Sequence, residues 1–210
     1  MKKYANVTLY ILMATGFLMS CKKDNDQKDL AAVFNNTVWT GEFHYTGKTV
    51  QPVSIDFKTG GQLAWNELNG EASANWKIDN GKLTITFSGS NTVSADITGD
   101  NKLTNFQYTG GLIVDHAELN TTPDESIDNT QWKALNLLFT FKASDKADAA
   151  LGPTGSVVYS NAVYTRKAKF IRFSYPQYKF FNVFINSTSM RGINQPTGDP
   201  NIYQYTVIKQ

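Results

Sequence analysis

Few residues in this 210-residue chain could carry covalent or metal chemistry: one cysteine and two histidines stand among 18 acidic side chains. Cys21 has no partner for a disulfide, and with His44 and His116 it makes no Cys/His set at zinc-ligand spacing. His44 and His116 fall in what read as the first and last strands of one unit, which pair if the sheet closes, so a shared site is open to them. A Ser-His-Asp arrangement needs a third group to orient the base, and nearby serines prove nothing where serine is common. Asp56, Glu67, Glu71, Asp96 and Glu118 could be paired as glycosidase carboxylates, yet any chain this rich in acids allows such pairs. Asp24, Asp26, Asp29 and Asp100-Asn101 do not match a calcium loop with its spaced ligands and terminal Glu. The expectation is a non-enzymatic protein without cofactor or metal.

Binding chemistry is better represented. Trp65, in Gln62-Leu63-Ala64-Trp65-Asn66-Glu67, has amide and acid neighbours that suit sugar hydroxyls. Tyr175, Tyr178, Phe180 and Phe181 cluster around Pro176 and read as an exposed aromatic loop, the kind of patch that marks an interaction site. Arg166, Lys167, Lys169, Arg172 and Lys179 could form a basic face beside it. Residues 35–120 carry five lysines against nine acids, and residues 128–210 carry ten basic residues against four acids. That split admits drift after duplication, attraction between two units, or a face for an anionic ligand such as an acidic glycan.

The start of the chain decides where this chemistry is displayed. Lys2-Lys3, an apolar run from Val7 to Met19 and a small residue before Cys21 make a secretory signal pattern. Leu18-Met19-Ser20-Cys21 resembles the lipobox of bacterial lipoproteins, which implies cleavage before Cys21 and acylation of its thiol and new amine. Several acyl chains anchor stably where one is marginal. Lys22 to Asp29 is a polar run with three basic and three acidic residues. It reads as a solvated tether, similar to the signals that send some lipoproteins to the outer face of the outer membrane. Without residues 1–20 the charges balance at 18 against 18, so no nucleic acid partner is expected.

The elements that must position these residues are strands. Trp76 and Ile78 precede Asn80-Gly81, and Leu83, Ile85 and Phe87 follow it at period two, which predicts a hairpin with a tight turn at Asn-Gly. Eight such segments are marked: 38–45, 53–58, 62–66, 72–79, 82–87, 93–98, 102–107 and 112–119. Glycine-containing turns separate most of them. Short loops make sequential strands neighbours, so the fold class is all-β, an antiparallel up-and-down meander whose closure would remove its edges.

The second half repeats the first in degraded form. Asn129-Thr130-Gln131-Trp132 echoes Asn36-Thr37-Val38-Trp39, Leu137 to Phe141 echoes Val53 to Phe57, and Lys169 to Phe173 echoes Lys82 to Phe87. The chain therefore divides into a signal peptide (1–20), a lipidated cysteine with its tether (21–34), unit one (35–120), a linker (121–127) and unit two (128–210). Trp39, Trp76 and Trp132 are expected in the cores.

Asn-x-x-Trp opening the first strand, a Phe-ended second strand, and Ser189-Met190-Arg191-Gly192 before a final Tyr205 to Lys209 strand look like the lipocalin-like, or calycin-like, small β-barrels of bacterial lipoproteins. The resemblance implies two tandem barrels and a binding module for a glycan, small amphiphile or protein partner, held at the outer membrane by lipid. The units are about half a full lipocalin in length, which leaves little depth for a calyx; an eight-stranded barrel has room for its own side chains or one small ligand. The alternative is a structural or adhesive surface protein whose barrels hold no pocket. Barrels plugged by Trp76, Leu83, Phe87 and their counterparts would favour that alternative.

Overall fold

The computed structural model describes residues 30–99, 102–152, 155–167 and 169–210; the signal segment, Cys21 and the tether lie outside the described residues. A single turn of helix, α1 (Leu30–Phe34), leads into sixteen antiparallel strands that close as two successive eight-stranded barrels. The first contains β1 (Thr37–Tyr45), β2 (Gln51–Phe57), β3 (Gln62–Glu67), β4 (Gly70–Asp79), β5 (Lys82–Phe87), β6 (Thr92–Ile97), β7 (Lys102–Tyr108) and β8 (Leu112–Leu119). The second contains β9 (Gln131–Ala134), β10 (Leu137–Lys142), β11 (Lys146–Leu151), β12 (Val157–Lys167), β13 (Phe170–Ser174), β14 (Tyr178–Asn186), β15 (Ser189–Pro196) and β16 (Tyr203–Lys209). The expected all-β tandem architecture is what forms, and within each barrel every strand pairs with the next in sequence. Barrel one closes where β1 meets β8, with Trp39 opposite Leu119; barrel two closes where β16 meets β9, with Val207 opposite Ala134.

Local sequence accounts for much of this. Asn80 and Gly81 adopt φ of 49° and 76° between β4 and β5, the left-handed pair that a tight hairpin with native twist requires. The repeated Asn-Thr-x-Trp segment builds the same corner twice. Asn36 and Asn129 take φ of 58° and 59°, turning the chain into the first strand of each barrel. Thr37 Oγ1 then donates to Phe34 O at 2.6 Å, and Trp39 Nε1 donates to Thr37 Oγ1 at 3.1 Å. Thr130 Oγ1 donates to Ile127 O, and Trp132 Nε1 donates to Thr130 Oγ1 at 2.9 Å. One threonine thus satisfies a buried indole N–H while tying down the incoming loop, which lets tryptophan be fully buried without an orphan donor.

Both interiors are filled. Phe34, Trp39, Phe57 and Trp76 form an aromatic plug in barrel one, with Phe34 stacked on Trp39 at 4.7 Å and Phe57 edge-on to Trp76 at 5.5 Å. Phe43, Leu83, Ile85, Val93 and Leu103 belong to the same core. Barrel two is packed by Trp132, Phe139, Phe141, Phe173, Phe180, Phe184, Met190 and Val207. It also encloses Tyr205, whose ring fits because residue 192 is glycine: a Cβ there would lie 2.3 Å from both Tyr205 Cε2 and Asn182 Oδ1.

A third apolar cluster lies between the barrels, within the compact unit that spans Ala31–Gln210. Leu68, at the tip of the β3–β4 hairpin, packs against Phe170, Phe181, Val183 and Ile193 on the outer face of β13, β14 and β15. Strand β2 contacts β14 and β15, so its outward Ser54 is buried along with its inward Val53 and Ile55.

Candidate functional site

The residues expected to bind do not assemble one site. Trp65 is 2% exposed, with Phe43 and Phe87 edge-on to it at 5.2 and 5.4 Å. It faces the interior of barrel one, so the sugar-stacking role expected for it is corrected to a core role. The polar neighbours that suggested exposure point the other way, where Asn66 is covered in its turn and its Oδ1 has no hydrogen-bond partner. Phe180 and Phe181 are buried as well. Tyr175 and Tyr178 are half-buried: Tyr175 stacks on Tyr159 with centroids 3.9 Å apart, and Tyr178 lies 6.2 Å from the same ring.

The basic face is likewise dismantled. Arg172 lies over the rings of Phe170 and Phe181, at 5.0 and 5.3 Å, and reaches into the β3–β4 hairpin of barrel one. Its Nε and Nη2 donate to Glu67 O at 3.0 and 2.5 Å, and Nη2 also donates to Gly70 O at 2.8 Å. Lys167 pairs with Glu71. Lys169, only 7% exposed, donates to Thr122 O and pairs with Asp124 Oδ1 at 2.6 Å. Arg166 donates to Glu125 O in the linker. Of the five, Lys179 alone remains exposed without an ion pair among the described residues. These cations face barrel one and the linker because that surface offers carbonyls and acids, and the adjoining apolar cluster keeps water from around Lys169 and Arg172, while Lys167 stays exposed.

Burial there moves several titrations. Desolvation pushes the Glu67 carboxyl above its usual range and draws the Arg172 guanidinium down. Tyr45, whose hydroxyl donates to Glu67 Oε2 at 3.4 Å, is pushed up to about 12, mainly by burial. Glu71 moves the opposite way, held down first by its hydrogen bond from Lys167.

The two histidines are not brought into one site. A bulge where Glu42 faces His116 but Phe43 faces Val114 leaves Asp115 as the extra residue of β8. Bulges re-aim side chains, and here each imidazole takes its own carboxylate. His44 Nδ1 lies 3.0 Å from Asp115 Oδ2, and His116 Nδ1 lies 3.4 Å from Glu42 Oε2.

Glu42 leads to a cleft of about 470 Å³ where the two barrels and the linker meet. This volume is within the range of small-ligand sites. Barrel one contributes Thr40 and Glu42 from β1, Pro52 from β2, and His116 and Glu118 from β8; the linker adds Thr121 and Thr122; barrel two adds Ile185 from β14 and Arg191 from β15. Glu42 is 17% exposed on its side chain and bridges the barrels, accepting from Arg191 on one oxygen and facing His116 with the other. The linker floor is pinned from both sides: Asn120 Nδ2 donates to Phe184 O at 2.8 Å and Thr40 Oγ1 at 3.3 Å, and Thr122 Oγ1 donates to Ile185 O at 3.3 Å.

Sequence reading missed this trio. Residues 42, 116 and 191 are too far apart for any spacing rule, and only barrel closure plus barrel docking joins them. Among the described residues no three His, Cys, Asp or Glu side chains converge as a metal site. The sequence matches no protein-family model and no curated protein sequence.

Proposed function

We propose that this chain is a lipid-anchored outer-membrane lipoprotein with lipocalin-like barrels, acting as a non-enzymatic binding module whose ligand occupies the inter-barrel cleft. The observation that carries this reading is the contrast in packing: tryptophans and phenylalanines fill both barrels, whereas a cleft lined by charged and hydroxyl side chains lies between them. An amphiphile buried in either barrel would have to displace that aromatic packing, so it fits poorly. The glycan and protein-partner readings survive, because a polar cleft and an exposed rim serve both. The filled interiors also favour the second reading, a structural or adhesive surface protein in which the paired barrels are a rigid spacer. Lipidation at Cys21 rests on the lipobox and positions the barrels beyond a polar tether.

Two measurements test this. Cys21→Ala is expected to move the protein from the membrane fraction to the soluble fraction, since the lipid is the proposed anchor; retention in the membrane defeats the anchoring. Hydrogen exchange on membrane-displayed protein incubated with extracts of cell-surface polymers should slow amides in residues 118–122 and 183–185. Unchanged exchange there defeats the cleft as the binding site and leaves the structural reading.

A further inference from the structure

Resting on the cleft reading, we infer that the inter-barrel cleft takes an uncharged saccharide. Its guanidinium already has a carboxylate partner. Arg191 is neutralised by Glu42, yet a guanidinium has five donors and this pair uses only part of them. Glu118 makes no ion pair among the described residues, and Lys102 lies opposite it in the β7–β8 ladder, which balances the local charge. What remains is a set of donors and acceptors with little net charge. Arg191 donates, Glu118 accepts, the Nε2 of His116 is left over from its contact with Glu42, and Thr40, Thr121 and Thr122 add hydroxyls.

Aliphatic surface adjoins these groups, chiefly Ile185, which is 49% exposed, with partly buried Leu119 beside it. A pyranose has the complementary pattern, C–H faces between rings of hydroxyls that each both donate and accept. An acidic glycan would need surplus cations, and four of the five basic residues that could have supplied them are engaged with barrel one or the linker. A free amino acid would need separated charges, and the guanidinium that would take its carboxylate already has one.

The test uses the full lipidated chain in detergent micelles on an array of neutral and uronic-acid oligosaccharides, with free amino acids as competitors. Neutral oligosaccharides should bind, with an affinity that changes little when salt is raised about tenfold, since no net charge is neutralised. Glu118→Ala should weaken binding by about tenfold or more, the effect of losing a charged hydrogen bond. Thr121→Trp, which fills the cleft from an exposed linker position, should abolish it; neither variant should shift the thermal midpoint by more than a few degrees. No neutral glycan bound, binding confined to uronic acids, competition by amino acids, or binding that survives Thr121→Trp would each overturn the inference. Uronic-acid or amino-acid binding lost in Thr121→Trp would overturn only the uncharged saccharide and leave the cleft standing, whereas unchanged exchange in the cleft would remove both.

Discussion

Both barrels begin at the same corner but are finished differently. In barrel one, α1 supplies Phe34, which stacks on Trp39 almost parallel, at 6°. In barrel two the linker supplies Ile127 at the equivalent place, and Trp132 instead meets Phe184 edge-on at 5.9 Å, with Lys209 Nζ 6.0 Å from its ring. Barrel one is apolar inside except at Gln51, which lies opposite Phe43 and whose buried Oε1 has no hydrogen-bond partner. Barrel two encloses Tyr205, Asn182 and Asn194, and the Oδ1 atoms of both asparagines lack hydrogen-bond partners. The same repeated corner can therefore support a tighter or a more polar filling. The comparison teaches that the corner fixes where the first strand starts, while the residues before it decide how well that end is plugged.

The largest expected effect compares the two tryptophans. Trp39→Ala should cost about 4 to 5 kcal/mol and Trp132→Ala about 3 to 4 kcal/mol, because Trp39 loses a stacked partner as well as burial. Urea unfolding checks the order, and equal losses would mean that the stacking on Phe34 adds nothing.

Next comes the joint between the barrels. Arg172→Ala removes three hydrogen bonds and two ring contacts and leaves the carbonyls of Glu67 and Gly70 unpaired, a loss of about 3 kcal/mol. Arg172→Lys should recover little of it, since an ammonium cannot span both carbonyls in one plane. Calorimetry should show one transition for the parent and two for Arg172→Ala, with barrel two melting first.

Smaller and more symmetric are the corner threonines. Thr37→Val and Thr130→Val each leave an indole N–H without its acceptor at nearly constant volume, and each should cost about 1 to 2 kcal/mol. Unequal values in chemical denaturation would show that the two corners differ more in energy than in geometry.

The smallest effect is in pH, where Glu67 and Glu71 flank the same hairpin and titrate in opposite senses. Glu67 is raised above its ordinary value of 4.5 by burial, so the folded state gains relative stability as pH falls through the folded value, and that contribution is lost as pH rises through it. Glu71 is lowered, so its contribution is present above 4.5 and disappears as pH falls through its folded value. Glu67→Gln should remove the gain on mild acidification, and Glu71→Gln the loss at lower pH, the latter under about 1 kcal/mol for a partly exposed pair. Thermal midpoints measured between about pH 7 and pH 3 distinguish the two.

Sequence legibility followed the range of the interaction. The marked segments 82–87 and 112–119 coincide with β5 and β8, and the others agree to within a few residues, because period-two alternation and glycine turns are local signals. The tandem repeat was legible for the same reason: Asn-Thr-x-Trp is a four-residue device whose hydrogen bonds all fall within a few positions. Trp65 misled because its strand is covered on both faces, so polar neighbours did not mean solvent.

By itself, then, the sequence determined the strands of the first barrel and their order, the repeated Asn-Thr-x-Trp corner and the burial of Trp39, Trp76 and Trp132. Tertiary structure alone decided that Leu68 docks on the second barrel, that Arg172 reaches a carbonyl 105 residues away, and that Glu42, His116 and Arg191 meet at one cleft. The reason is that alternation and turn chemistry act on neighbours along the chain, whereas docking depends on which outer faces remain apolar or unpaired after each barrel has closed.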